Sequence, residues 1–265
     1  IGTSTLRYGQ LFVGDRNPSL ALSRAIGDTL VNFYIQNNYL YALGTNFTVI
    51  DITNPATTSV VTSSSAFTGG QIVVQGKYAY IGTSNSFQIV DISNPANPVS
   101  IVNEGAWPSG SNTRVAVGGK YLYTTNQGYQ GFAVYDISNI YSPKQIYISG
   151  TLLSNPSNVS VQGDRLYITD WDALHIYDIS DPSAPAALTG FTYTSNGSED
   201  MKIQGRYAYL MRQGTLQIYD IATTTPYLIG SKAGAGNAWS LDVQGRYAYV
   251  DEGTGFSVYD ISNPS

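Results

Sequence analysis

One phrase of about 25 residues recurs six times in this chain and limits what the chain can fold into more than any other feature. In its second copy it runs from Gln71 to Pro95 and reads QIVVQGKYAYIGTSNSFQIVDISNP. Each copy ends its last apolar run on an aspartate, and successive aspartates are 40, 45, 42, 42 and 40 residues apart: Asp51, Asp91, Asp136, Asp178, Asp220 and Asp260. A period of this length predicts a repeat architecture built from one supersecondary unit.

Each copy predicts four short β-strands joined by turns. The second copy has apolar or Tyr-rich runs at 72–74, 78–82, 87–92 and 99–102, and the third run alternates apolar and mostly polar residues, which is typical of a strand packed on one face. Five copies place a glycine between the first two runs, at Gly76, Gly119, Gly163, Gly205 and Gly245, and the first copy has Asn37 and Asn38 instead. Asparagine tolerates a positive φ, so we expect the same turn in all six copies.

The fold class that follows is all-β, a single β-propeller of six four-stranded blades. Repeated four-stranded units of 40–45 residues are typical of propellers, in which each blade buries its two faces against its neighbours. The last copy ends at Ser265 without a fourth strand, whereas residues 18–25 resemble a fourth strand without its own blade. We therefore expect residues 18–25 to pair with the last blade and close the ring. The expected division is residues 1–16 as an N-terminal extension and 17–265 as the propeller; seven blades is the alternative, if Leu11–Asp15 is a strand of its own.

The repeated strand resembles the LVIVD-repeat family of β-propellers. The resemblance rests on segments such as Phe87-Gln-Ile-Val-Asp91 and covers residues 28–265. It implies the fold and a bacterial surface or secreted location, and it implies no activity. The N-terminal segment VGDRNPSLAL, from Val13 to Leu22, also resembles a phrase found in the necks of trimeric phage-tail and surface fibres. That second resemblance implies a homotrimer formed through the N-terminal segment.

Composition excludes several classes of partner. Charged residues make up only 12% of the chain, its net charge is −5, and it lacks a run of Lys or Arg. Nucleic acid is therefore not expected as a partner. No apolar run approaches the length of a spanning helix, so membrane insertion is not expected either. The absence of cysteine removes disulfides and thiolate metal sites, and no cofactor is expected.

The acidic residues and the single histidine favour structural roles over catalytic ones. An aspartate present in every copy serves the repeating unit, and such a residue commonly accepts backbone N–H bonds in the turn that follows it. His175 has no second histidine and no cysteine to form a zinc site, and no Ser-His-Asp arrangement is apparent. The sequence Asp170-Trp171-Asp172 lacks the spaced acidic loop of a calcium site, so no metal is expected.

The loops that differ between copies are the expected binding region. In a propeller, the second-to-third-strand hairpins and the blade-to-blade connections share one face, and in this chain they are the variable set. All three tryptophans lie there, and the candidate ligand-binding residues are Trp107, Tyr129, Asp170, Trp171, Asp172, Asp200, Trp239, Asp251 and Glu252. An indole that stacks on a sugar ring beside carboxylates suits a glycan. The alternative for each tryptophan is that it plugs the rim of its own blade.

These features predict a non-catalytic, extracellular or cell-surface binding or adhesion module whose ligand is a glycan or a protein. One alternative is a structural subunit of a trimeric fibre or surface layer, of phage or of a cell. The other is a carbohydrate-active enzyme that uses paired carboxylates.

Overall fold

The six copies of the phrase form six antiparallel sheets in a computed structural model of the chain. The structure describes residues 5–9, 20–25, 31–54, 57–105, 107, 110–192, 200–223, 225–233, 240–251 and 256–263. Within these ranges the side chains of 5–9, 20–25, 105, 189–191, 251 and 256 are outside the description. In the part of the chain so described, no helix is long and apolar enough to cross a bilayer.

The chain divides into two compact units. The first comprises Ile1–Val115 and Ile140–Ser142, and the second comprises Ala116–Asn139 and Pro143–Ser265. Strands of the N-terminal segment and of blades 1 and 2 are β1 Thr5–Gly9, β2 Leu20–Ala25, β3 Asn32–Gln36, β4 Tyr39–Leu43, β5 Phe47–Asp51, β6 Ser59–Ser64, β7 Gln71–Gln75, β8 Tyr78–Gly82, β9 Ser86–Asp91 and β10 Val99–Gly105. Strands of blades 3 and 4 are β11 Thr113–Gly118, β12 Tyr121–Asn126, β13 Gly131–Asp136, β14 Lys144–Ile148, β15 Asn158–Gln162, β16 Arg165–Thr169, β17 Ala173–Asp178 and β18 Ala186–Thr192. Strands of blades 5 and 6 are β19 Asp200–Gln204, β20 Tyr207–Arg212, β21 Thr215–Asp220, β22 Tyr227–Ala233, β23 Leu241–Gln244, β24 Tyr247–Asp251 and β25 Phe256–Asp260.

Blades 1 to 5 are four-stranded antiparallel sheets whose strands follow one another in chain order, and blade 6 has three described strands. This arrangement confirms the predicted all-β propeller of six blades. In each of blades 1 to 5 the register shifts by one residue between the third and fourth strands, as between Ile176 and Tyr177. Such bulges increase the local twist of a sheet.

The predicted turn between the first two strands is the same in all six copies. Its leading residue has a φ between 55° and 63° at Asn37, Gly76, Gly119, Gly163, Gly205 and Gly245. The sequence prediction that Asn37 replaces glycine in this turn is therefore confirmed. A hydrogen bond then joins each turn to the corner after the third strand, as from the Ile179 N–H to the Asp164 carbonyl at 2.9 Å.

The six phrase-ending aspartates have the predicted structural role. Each accepts a backbone N–H from the residue two positions later, at 2.8 to 3.0 Å. Hydrogen bonds from that later residue hold the pKa of Asp51, Asp91, Asp136 and Asp178 below the ordinary carboxyl value. For Asp220 and Asp260, the hydrogen bonds from Arg206 and Arg246 are the largest cause of the lowered pKa.

Neighbouring blades stack through apolar faces within each unit. Blades 1 and 2 share a cluster in which Leu43 and Phe47 pack with Ile72 and Ile81. In the second unit, equivalent clusters join blades 3 and 4, 4 and 5, and 5 and 6. The stacking that the repeat predicted is thus confirmed within both units.

Polar bonds between blades add to this packing and were not predicted. A glutamine at the end of the first strand reaches the turn of the next blade: Gln36 Nε2 lies 2.6 Å from the Gly76 carbonyl oxygen, Gln162 Nε2 lies 2.8 Å from that of Gly205, and Gln204 Nε2 lies 2.7 Å from that of Gly245. Blade 3 has Gly118 at this place. These bonds join the first strand of one blade to the turn that follows the first strand of the next blade.

The N-terminal strands form a sheet of two, in which β1 pairs antiparallel with β2. Residues 5–9 of the expected extension therefore pair with the expected closing strand. Closure of the ring by residues 18–25 stays a prediction. The alternative strand at Leu11–Asp15 lies outside the described residues.

Replacing Gly163 tests the turn chemistry. Its φ is 57°, and a Cβ at this position would have no atom within 4 Å, so only backbone strain opposes a side chain there. We expect Gly163→Ala to lower the free energy of unfolding by about 1 kcal/mol. Gly163→Asn should cost less, because Asn37 adopts nearly the same φ naturally. Urea unfolding of both variants measures this, and equal losses for alanine and asparagine would contradict the conformational explanation.

Candidate functional site

Three variable loops of the second unit meet at one surface. They are the hairpin of residues 126–131 between β12 and β13, the connection of residues 149–157 between β14 and β15, and the hairpin of residues 169–173 between β16 and β17. We call them together the Trp171 surface. The predicted candidates Tyr129, Asp170, Trp171 and Asp172 lie on it.

The 149–157 connection is hydrogen-bonded to the hairpins on both sides. The Leu153 N–H donates to the Gln130 carbonyl at 2.9 Å, and the Trp171 N–H donates to the Ser154 carbonyl at 2.7 Å. The Ser157 N–H donates to the Thr169 carbonyl at 2.9 Å. The three loops are therefore one hydrogen-bonded structure.

Asp170 is the centre of this hydrogen-bonding and is only 2% exposed. Its Oδ1 accepts the N–H groups of Asp172 at 2.9 Å and Ala173 at 2.7 Å. Its Oδ2 accepts the Ser154 N–H at 2.8 Å and lies 2.7 Å from His175 Nε2. Burial opposes ionisation of this carboxyl, but the hydrogen bonds from His175 and Ser154 outweigh burial and lower its pKa. Asp170 thus holds the hairpin in place as an ionised carboxylate.

Trp171 is held in solvent at the tip of that hairpin. Its side chain is 46% exposed, and Leu152 on the neighbouring connection is 62% exposed. Asp172 is exposed beside them, and Tyr129 is half-buried. Asn126 Oδ1 accepts the Tyr129 N–H at 2.9 Å, so the Tyr129 hairpin is also held by a side chain at the end of its strand. The surface therefore combines apolar rings and chains with an exposed carboxylate.

The other candidates are placed elsewhere or lie outside the description. Trp107, in the first unit, is 5% exposed, as the rim-plug alternative expects. Asp200 joins three strands of the second unit, because it accepts the Asn158 side-chain amide at 2.6 Å and the Leu241 N–H at 3.0 Å. Asp251 is described by its backbone alone, as the last residue of β24. Trp239 and Glu252 lie outside the described residues.

The sequence predicted a structural role for His175 but did not identify its partner. The sequence offers it no catalytic or metal-binding partner, yet the structure pairs it with buried Asp170. The alternation of the third strand predicted an apolar face and a mostly polar one, while the propeller prediction required both faces to be covered. Its polar column is nevertheless buried or half-buried: Thr48, Gln88, Ala133, His175, Gln217 and Ser257. The one signal in the sequence was a histidine, five residues after an aspartate, in a column otherwise free of titratable groups.

The described residues form no evident metal site. Among them, no group of three or more His, Cys, Asp or Glu side chains is placed to hold an ion. The Asp170 carboxylate already has four hydrogen-bond partners.

Several solved structures share the fold. A candidate 6-phosphogluconolactonase from Bacteroides uniformis superposes with a TM-score of 0.78 at 10% identity, over 97% of this chain and 91% of that chain. A protein from Lactobacillus plantarum gives 0.76 at 12% identity over 87% and 80%. BamB from Moraxella catarrhalis gives 0.63 at 13% identity over 92% and 74%. At these identities the likeness concerns the fold alone.

Comparison with curated proteins finds no match. The family model of the LVIVD repeat matches residues 32–65, 69–103, 109–148, 154–192 and 235–265, which is more than half of the chain. The longest unmatched stretch, residues 193–234, holds blade 5, where Ile221-Ala222-Thr223 replaces the usual Ile-Ser-Asn corner. The chain therefore belongs to the LVIVD repeat family.

Proposed function

We propose that this protein is an extracellular, non-catalytic binding or adhesion module whose ligand contacts the Trp171 surface. The observation that carries the proposal is an indole 46% exposed on a hairpin that a buried carboxylate holds in place. Leaving a large apolar side chain in water forgoes about 1.5–3 kcal/mol of burial. A rigid hairpin that presents such a side chain is what a binding loop on a scaffold requires.

A glycan is the ligand class that fits this surface best. The flat C–H face of a sugar ring stacks on an indole, and its hydroxyls donate to carboxylates such as exposed Asp172. The low charge of the chain also suits a neutral ligand. An apolar ring beside a small number of polar groups is a common composition of ligand sites, which supports the proposal.

Trp171→Ala tests the proposal on a glycan array. We expect at least a tenfold loss of affinity for any glycan that the unmodified protein binds, which corresponds to about 1.4 kcal/mol. Tyr141→Ala is the matched control, because Tyr141 is 70% exposed and lies between β13 and β14, outside the three loops of the Trp171 surface. Unchanged binding by Trp171→Ala would reject the Trp171 surface as the site, and binding to no glycan would reject the ligand class.

The enzyme alternative has a direct test of its own. Gluconolactonase names occur among the fold neighbours, at 10–13% identity. The proposal of a non-catalytic module requires that gluconolactone hydrolyse at its uncatalysed rate in the presence of this protein.

A further inference from the structure

We propose that the cleft between blades 3 and 4 binds a primary carboxamide through the backbone of Gly163, and that its ligand is free glutamine. The cleft has a volume of about 530 Å³. It lies beside the turn that precedes β16, whereas Trp171 is in the hairpin that follows β16. The site is therefore separate from the Trp171 surface, and the inference does not rest on the proposed function.

At three other junctions between blades, the chain's own glutamine places a carboxamide on the equivalent turn. The Gln162 amide makes two bonds to one residue, because its Nε2 donates to the Gly205 carbonyl at 2.8 Å and its Oε1 accepts the Gly205 N–H at 3.2 Å. Gln36 and Gln204 donate to the carbonyls of their turn glycines at 2.6 and 2.7 Å. The turn glycine thus presents one acceptor and one donor, which match the two ends of a primary carboxamide.

Blade 3 offers no such side chain to blade 4. Gly118 occupies the place of the glutamine, so the carbonyl and the N–H of Gly163 receive no amide from it. The turn itself is nearly unchanged, since φ is 57° at Gly163 and 60° at Gly205. The same backbone conformation presents the same two groups, so Gly163 can take the carboxamide of a ligand.

The rest of the cleft supplies groups for the other end of glutamine. Of the described residues that line it, Lys120 and Asp164 alone carry charge, and both are exposed. An ammonium binds an α-carboxylate, and a carboxylate binds an α-ammonium. Lys120 Nζ lies 5.3 Å from the centre of the Tyr121 ring, a cation–π contact that favours one position of the ammonium. One cation and one anion beside an amide site suit a zwitterionic amino acid.

The equivalent cleft between blades 4 and 5 is an internal control. Its volume is also about 530 Å³, and Asp164 and Arg206 line it. Gln162 lines it as well, and its amide already binds Gly205. The two clefts therefore have the same volume and differ in whether the chain itself provides the amide. We expect glutamine to bind the first cleft and not the second.

The experiment is an NMR titration of the isotope-labelled protein with L-glutamine, read at the Gly163 and Gly205 amides. The Gly163 resonance is expected to shift with half-saturation at about 1 mM, because the ligand is small and the turn is exposed. The Gly205 resonance should stay in place, because its N–H is bound to Gln162. Equal shifts at the two glycines, or no shift of Gly163 at about 20 mM glutamine, would overturn the inference.

Two substitutions exchange the properties of the two sites. Gln162→Ala removes the internal amide and should give Gly205 a glutamine-dependent shift that the unmodified protein lacks. Gly118→Gln supplies an amide to Gly163 and should weaken glutamine binding there about tenfold. A Cβ on Gly118 would lie 3.1 Å from Val161 Cγ1, so this variant needs a small movement of Val161, and Gln162→Ala decides the matter if it does not fold. A Gly205 amide that ignores glutamine in Gln162→Ala would contradict binding by the turn glycine.

Three further probes establish which part of the ligand is recognised. Glutamate cannot donate to the Gly163 carbonyl and should bind about tenfold more weakly than glutamine, so equal binding would reject the carboxamide. Acetamide carries the amide alone and should also bind about tenfold more weakly, because it does not reach Lys120 and Asp164. A peptide with one central glutamine, an acetylated N-terminus and an N-methylamide C-terminus represents a protein ligand. Binding of this peptide as tight as that of glutamine would reject the free amino acid as the ligand.

Discussion

Gly82→Ala is expected to destabilise the protein by about 3 kcal/mol, because β8 has no room for a side chain at its end. A Cβ on Gly82 would lie 2.1 Å from the Thr113 carbonyl oxygen and 2.9 Å from its carbonyl carbon. Both are backbone atoms, so the clash cannot be relieved by a rotamer change. Thr113 is fully buried and donates its N–H to the Thr83 carbonyl at 2.8 Å. Relief therefore requires that blade 2 separate from the start of β11.

Urea and thermal unfolding measure this loss. Gly150→Ala is the matched control, because a Cβ there meets nothing within 4 Å and the residue is exposed. Its free energy of unfolding should change by no more than about 0.5 kcal/mol. Similar unfolding curves for the two variants would show that the approach of Gly82 to Thr113 does not constrain the fold.

Asp170→Ala is expected to cost a similar amount, about 3 kcal/mol, for an electrostatic reason. The substitution leaves the Ser154, Asp172 and Ala173 amides and the His175 ring without their acceptor. A buried donor that loses its partner costs about 1–3 kcal/mol, and part of this cost is recovered as water enters the opened hairpin. Asp172→Ala, two residues away and exposed, should have almost no effect on stability.

The pH dependence of this loss has a definite sign. The pKa of Asp170 is lowered in the folded protein, so the carboxylate stabilises the fold fully above its unfolded value of about 3.9. That stabilisation is lost as the pH falls through the lowered pKa of Asp170 in the folded protein. The difference in unfolding free energy between the unmodified protein and Asp170→Ala should therefore shrink in acid. A difference that stays constant down to acid pH would contradict the role of the ionised form.

The local chemistry of the repeat could be predicted because it depends on residues close together in the chain. The positive φ at Asn37 and at the five turn glycines follows from the residue type at that place. The N–H bond from Ser180 to Asp178 spans two residues and needs no tertiary contact. Because the same residue types recur at the same places in six copies, each of these patterns could be recognised in the sequence.

The candidate site could be predicted only as a region. The variable loops were expected on one face, and three of them do meet at the Trp171 surface. Exposure of Trp171 against burial of Trp107 could not be foreseen, since both are tryptophans in variable loops. Asp200 was equally ambiguous, because its hydrogen bonds to Asn158 and Leu241 join residues about 40 positions apart.

By itself, the sequence determined the unit: its strands, its turns, its capped corners and the number of its copies. These depend on short-range backbone preferences and on an apolar period that six copies repeat. Only the tertiary structure decided which residues of different blades meet. Stacking of blades brings Gly82 against Thr113 and bonds Asp200 to Asn158 and Leu241, and no spacing along the chain encodes these contacts. Packing between blades depends on the shapes of the two faces in contact. Those shapes differ from copy to copy, whereas the repeated phrase gives only what the copies share.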